Sequence, residues 1–517
     1  MEKEEDIASL IKSLSKSEKR YFKLFVSKNS IGESSNYLKL FDLIDKAGTA
    51  DKKIIQKLCG DNIFMQKKYP VYKHLLYKQI LKSLNFYNMG RSVNDKILEL
   101  LKQAEILFDK NLYPQAEKAL NKAEELCKKY EKYTYYMEVI RWKKKIVSTS
   151  SIYSKIDKAD LSHLYEEEKT INELVNNQNE YWYLKELMYF HYKTYGIIRQ
   201  KEDIEKYNSL ITHPYLVKKE LATSYESKLY FFNTYYTYCF IIGDLNGAYY
   251  YAKERVDFIE AHLHQQEAQP INYVMALHNL LFATKQLKKY KEFHQMLPKF
   301  KMMIKKDNYT TNENLQRILR LMLYNLEFAF YINIGDVKKA TQFLPEIETF
   351  IKEKQVNNEV IIFFIIYYMA ILYFIKGELN EALNKINIIL NDNKIYIRQD
   401  YHSYVRIIQM VIHFEKKNFS ILPYLIKSYY RFLINKKMLY KTESIFIHFI
   451  KTKIKTISNS KEQTEALKQL RNEIEETMKD PMEARLTGAF DIISWLESKI
   501  TNRPFEEIVR EKSGFYV

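Results

Sequence analysis

The chain has 517 residues, more than one ordinary core holds, so several units or a stacked array of elements is expected. Its 11 Gly and 9 Pro make up about 4% of residues against an average of about 12%, which excludes a turn-rich all-β fold; 46% apolar and 15% aromatic residues exclude a mainly disordered chain. The formal charge of +17 suits an acidic or nucleic-acid partner, and equally the joint abundance of Lys, Asn, Ile, Tyr and Phe that an AT-rich coding sequence produces.

Residues 1–94 form a basic unit, with 18 Lys and Arg against 10 Asp and Glu. Ser15 and Glu18 have the spacing of a capping box, in which each side chain satisfies the other's backbone amide. The helix this predicts carries Tyr21, Phe22, Leu24 and Phe25 among Lys16, Lys19, Arg20 and Lys23, and the four cations fall three or four apart on a shared side. A second helix with Leu38, Phe41, Leu43 and Ile44 comes next, then a turn over 46–51 and a short helix to Leu58, ending at Gly60-Asp61-Asn62. Pro70 is expected to open a longer helix with Leu76, Ile80, Leu81 and Leu84 as its buried stripe. Gly90-Arg91-Ser92 reads as the linker to the remainder of the chain.

From 95 to 457 one pattern recurs: an apolar helix, a short turn, then a second helix with a small residue near its start. The clearest turns are Asn111-Leu112-Tyr113-Pro114-Gln115-Ala116, Gly243-Asp244-Leu245-Asn246-Gly247-Ala248, Gly335-Asp336-Val337-Lys338-Lys339-Ala340 and Gly377-Glu378-Leu379-Asn380-Glu381-Ala382. Weaker instances put Leu164, Tyr207, Tyr290 and Leu422 at the Ala position, which gives steps of 40 to 50 residues along the series. Such a period predicts an all-α solenoid of about eight helical hairpins, because a two-helix unit cannot bury its apolar face alone. Gly or Asn suits the left-handed backbone that often ends a helix, and Ala lets two helices approach closely.

Gly-Asp-x-x-x-Ala after an apolar helix ending in Tyr or Phe resembles the tetratricopeptide (TPR) repeat, with Tyr331 and Tyr373 at the family's aromatic position and Ala370 at a small-residue position. The family's repeat is shorter, near 34 residues. The segments Leu14–Phe22 and Phe490–Leu496 are also similar to those of uncharacterised helical-repeat proteins from Bacteroidetes. The TPR resemblance implies that the first helix of each pair lines a concave groove. Asn233 and Asn325 each lie fifteen residues before their repeat Ala, flanked by aromatics that include Tyr236. An Asn amide can both donate to and accept from a partner's backbone, so Asn233, Asn325 and Tyr236 are the candidate ligand-binding residues.

Residues 458–517 read as capping helices. Ser460-Lys461-Glu462-Gln463 has the form of a second capping box, opening a polar helix through Glu476. Asp480-Pro481-Met482-Glu483 is expected to open a helix carrying Phe490, Ile493, Trp495 and Leu496. The uncharged stretch Val360–Ile375 has sixteen residues, short of the roughly 20 that span a bilayer, and is expected to be a buried helix. An acidic start without a signal-peptide pattern, and three dispersed cysteines without a CxxC, point to the cytoplasm.

No phosphate-loop, dinucleotide, zinc-protease or nucleophile-elbow motif is present. His262 and His264, two apart, face different sides of a helix and make a poor metal pair; Glu166-Glu167-Glu168 reads as a solvated face, and Trp182 and Trp495 as core. The expected protein is therefore not an enzyme and needs no cofactor or metal. It is a scaffold that binds a protein or peptide along its concave face. The alternative is a regulator whose basic N-terminal unit binds nucleic acid while the repeats sense a partner.

Overall fold

The way each helix ends sets the architecture. At Asn111, Glu131, Gly243, Lys288, Gly335, Gly377, Lys417, Lys437 and Asn502 the backbone turns left-handed, with φ between 50° and 75°. The amide of the next residue then reaches back 2.8–3.1 Å to the carbonyl five positions earlier. This closure satisfies carbonyls that a helix end leaves orphaned and reverses the chain. The computed structural model describes residues 2–29, 34–51, 63–149, 158–305, 313–352, 359–391, 398–452, 460–484 and 490–516. Among them the fold is all-α, with 25 α-helices and no strand.

Ala116, Ala248, Ala340 and Ala382 each sit four residues past the reaching amide and are fully buried where the paired helices meet. Leu422 keeps the same register after Asn418. Tyr290 does not. The turn at Lys288 and Lys289 puts Phe293 in the equivalent place, also fully buried. Leu164 lies inside one unbroken helix, Lys158–Tyr195, and Tyr207 inside Lys201–Ile211 after a turn of another kind.

The chain forms two compact units, residues 1–172 with 307–314, and residues 173–306 with 315–517. In the first, Ser15 and Glu18 make the expected capping box: the Glu18 amide donates to Ser15 Oγ at 3.2 Å, and the Ser15 amide to Glu18 Oε2 at 2.8 Å. Phe22, Val26, Phe41 and Ile44 are buried together with Leu76 and Ile80, whereas Leu24 and Leu81 face outward. Pro70 does not open its helix. That helix runs Ile63–Asn88, and the proline is carried inside it. Tyr69, Tyr72, Leu76 and Ile80 anchor this helix to the core, and burial of four large side chains outweighs the roughly 3 kcal/mol of an interior proline. The short helix read to Leu58 lies outside the described residues. Ser92 caps Val93–Asp109 in a further box with Asp95.

In the second unit, Glu359–Ile375 is buried on almost every side, with Phe363, Ile365 and Tyr367 through Phe374 all buried. Among the described residues no helix is long and apolar enough to cross a membrane. A strict solenoid touches only its neighbours; this unit adds contacts across long sequence distances. The Arg199 guanidinium is buried between Glu443 at 2.5 Å and Glu483 at 2.7 Å and lies 3.9 Å from the centre of the Tyr440 ring. The Arg398 amide donates to the Lys193 carbonyl at 3.0 Å, and its side chain grips Asp400 at 2.9 and 2.6 Å. Gly196, at φ +77°, permits this, because a Cβ there would collide with the Asp400 carboxyl. At the C-terminal end the structure divides what the sequence read as one helix. Pro481–Ala484 and Ile492–Thr501 are separate, the latter capped by Asp491. Glu483 is drawn away from its own helix start into the Arg199 pair.

This packing sets two expected outcomes. Ala382→Leu should overfill the contact between Glu359–Ile375 and Leu379–Asn391 and lower stability by about 1–3 kcal/mol in urea unfolding. Arg199→Met should cost about 3–5 kcal/mol in the same measurement, because it leaves two buried carboxylates without their cation.

Candidate functional site

Four helices that open hairpins, Tyr225–Ile241, Pro270–Gln286, Glu313–Asn333 and Glu359–Ile375, present side chains to one cavity of about 490 Å³ in the second unit. The 185–193 stretch, Arg255 from Leu245–Glu260, and Arg398 complete its lining. The three residues singled out from the sequence, Asn233, Tyr236 and Asn325, all reach this cavity from two different hairpins.

Their surroundings differ. Asn233 Oδ1 accepts from Arg255 Nη1 at 3.1 Å and from Asn279 Nδ2 at 3.3 Å. Its acceptor is therefore already engaged by the protein. The Tyr236 hydroxyl donates to the Asn279 carbonyl at 3.3 Å, and burial holds this phenol well above its ordinary range. Asn325 is 6% exposed, and its Oδ1 receives no hydrogen bond. A buried amide oxygen without a donor is uncommon in a folded protein and costs about 1–3 kcal/mol.

Two residues that the sequence pattern did not select, Arg255 and His278, also line the cavity. Arg255 gives Nη1 to Asn233, while its buried Nε has no acceptor. Burial pushes its pKa down to about 10, with only the Tyr236, Tyr225 and Tyr230 hydroxyls opposing, so it stays charged at neutral pH. His278 has both ring nitrogens buried without a well-formed hydrogen bond, and burial lowers its pKa to about 4 against an opposing pull from Asn279. Two further cations here are compensated: Arg398 by Asp400, and Lys185 by Glu186. Phe240, Phe282 and Phe364 supply apolar wall.

The sequence does carry a signal for His278. Asn233 and Asn325 lie fifteen residues before Ala248 and Ala340; the same count back from Phe293 arrives at His278. Placing Tyr290 in the Ala position displaced that register by three residues. Arg255 had no comparable signal, because it comes from a second helix.

Elsewhere, Trp495 is buried, with Nε1 donating to Glu415 at 2.7 Å, but Trp182 is half exposed rather than core. His262 lies with Nδ1 2.8 Å from the Phe258 carbonyl oxygen. Glu167 pairs with Lys128 at 3.0 Å and Glu168 with Lys144. Among the described residues no three His, Cys, Asp or Glu side chains converge as metal ligands. No protein-family model matches the chain, and a search of curated proteins finds no significant match.

His278 makes stability depend on pH. Its folded pKa of about 4 lies below its ordinary 6.5, so its neutral ring favours the folded state fully above about 6.5, and this contribution is lost as pH falls toward about 4. Between those limits the wild type should lose on the order of 1–3 kcal/mol more than His278→Gln, read from urea midpoints at each pH.

Proposed function

We propose that the chain is a non-catalytic binding protein built as a TPR-like α-solenoid of about eight hairpins, and that it captures a protein or peptide segment on the face made by the first helices of its pairs. The observation that carries this reading is the convergence of Asn233, Tyr236 and Asn325 from separate hairpins on one cavity. Asn325 Oδ1, buried and without a donor, has a hydrogen bond left for a ligand to complete. Three dispersed cysteines support a cytoplasmic setting.

The nucleic-acid alternative is less well supported. Lys19 and Lys23, which it needs free on one helix side, are paired with Asp45 and Asp42, each at 2.6 Å. Lys67 and Lys68, further cations of that reading, have side chains outside the described residues.

The test is capture of partners from the protein's own cells by tagged wild type and Asn325→Ala. The variant should lose the partner while its urea midpoint stays within about 0.5 kcal/mol of wild type, since no protein hydrogen bond to the amide oxygen is removed. Undiminished capture, or a loss of stability that accounts for the loss of binding, would refute the assignment.

A further inference from the structure

The cavity contains a cation without an anion. The two arginines of the second unit that are fully buried have their carboxylates: Arg199 has Glu443 and Glu483, and Arg398 has Asp400. Arg255 makes one hydrogen bond to a neutral amide, its Nε makes none, and among the described residues no carboxylate is paired with it. Arg255 is partly buried in the cavity wall, with its Nε out of water, and guanidinium is shaped to receive a planar oxyanion through two parallel N–H donors. Phe240, Phe282, Phe364 and Tyr236 line the same cavity and give it flat apolar walls. The volume of about 490 Å³ lies within the range of small-ligand pockets, roughly 300–1,000 Å³. Asn325, with its unoccupied acceptor, offers a place for a donor on the same ligand.

We propose that this cavity binds an organic anion with a flat apolar body and one oxyanion group, in the simplest case a carboxylate, seated on the Arg255 guanidinium. The proposal rests on the reading of the cavity as the binding site and names the group that the site recognises. The anion can belong to a free aromatic acid or to an acidic side chain beside aromatic residues in a peptide. In either case the oxyanion supplies the charge that Arg255 lacks, and the rings cover the apolar body.

Calorimetric titration of the full chain at neutral pH tests this with a matched pair, 2-naphthoate and the uncharged 2-naphthamide. Wild type should prefer naphthoate by at least about tenfold. Arg255→Gln should abolish that preference with little change in the urea midpoint, because among the described residues the guanidinium has no ion pair to lose; Arg255→Lys should keep part of it. Asn233→Asp is an independent check that does not remove the arginine. Its carboxylate would take the position of the amide oxygen now 3.1 Å from Arg255 Nη1, so the protein itself would supply the anion. This variant should be more stable than wild type and should bind naphthamide but no longer favour naphthoate. Acetyl-Phe-Glu-Phe-amide and its Gln counterpart separate the sources: discrimination between them that depends on Arg255 assigns the anion to a peptide, and discrimination of the naphthyl pair alone assigns it to a free acid. Equal affinity for both members of both pairs, or a preference that survives Arg255→Gln, would overturn the proposal. Binding of naphthamide without preference would leave the cavity as a binding site and remove only the anion. Failure of every probe to bind would overturn both readings.

Discussion

A helix that ends in a left-handed residue has only one short way to continue, which is back along itself. That constraint, repeated from Asn111 to Asn502, converts a chain with very few glycines and prolines into hairpins. The 2.8–3.1 Å bond that closes each turn fixes the register between the two helices. Register then determines which residue lies at the helix contact, and the four repeat alanines and Phe293 are all fully buried there. Six of the nine left-handed positions hold Asn, Lys or Glu rather than Gly. A side chain in that conformation costs about 1–2 kcal/mol, which the closing hydrogen bond and the packed helices on either side offset.

Hairpins alone would leave the second unit a one-dimensional stack. The buried arginines prevent that. Arg199 holds Glu443 and Glu483, and Arg398 with Gly196 and Lys193 ties the end of one helix to the start of another about 200 residues later. At the opposite end of the sequence, Tyr516 bonds Asp336 at 2.6 Å and Arg510 bonds the Gly335 carbonyl at 3.1 Å. Gly335 is required there, because a Cβ would meet the Glu506 carbonyl oxygen at 2.6 Å. The buried arginine–carboxylate pairs add little net stability over apolar packing, but each is costly to break, so arrangements that separate the partners are disfavoured.

The cavity is a consequence of both levels. Hairpin register aims Asn233, His278 and Asn325 from equivalent positions on three successive first helices, and the long-range ties bring Arg398 and the 185–193 stretch to the same space. The energetic cost is concentrated at this place. An unsatisfied amide oxygen, a neutral buried imidazole and an unpaired guanidinium line one cavity, where a well-packed core would have none of them.

The sequence by itself determined the helical class, the Gly-marked turns, the capping box at Ser15 and the buried character of 360–375, because each rests on residues within a few positions of one another. It also put Asn233 and Asn325 at equivalent positions, since a repeat carries one position from hairpin to hairpin. It missed Phe293 and therefore His278, because a left-handed Lys leaves no mark that distinguishes it from any other Lys. The proline inside Ile63–Asn88, the separation of the C-terminal helices Pro481–Ala484 and Ile492–Thr501 and the exposure of Trp182 were decided by tertiary packing, which outweighs local propensity. So was the role of Arg255. Whether an arginine has a carboxylate beside it depends on which helices meet, and no pattern along the chain records that.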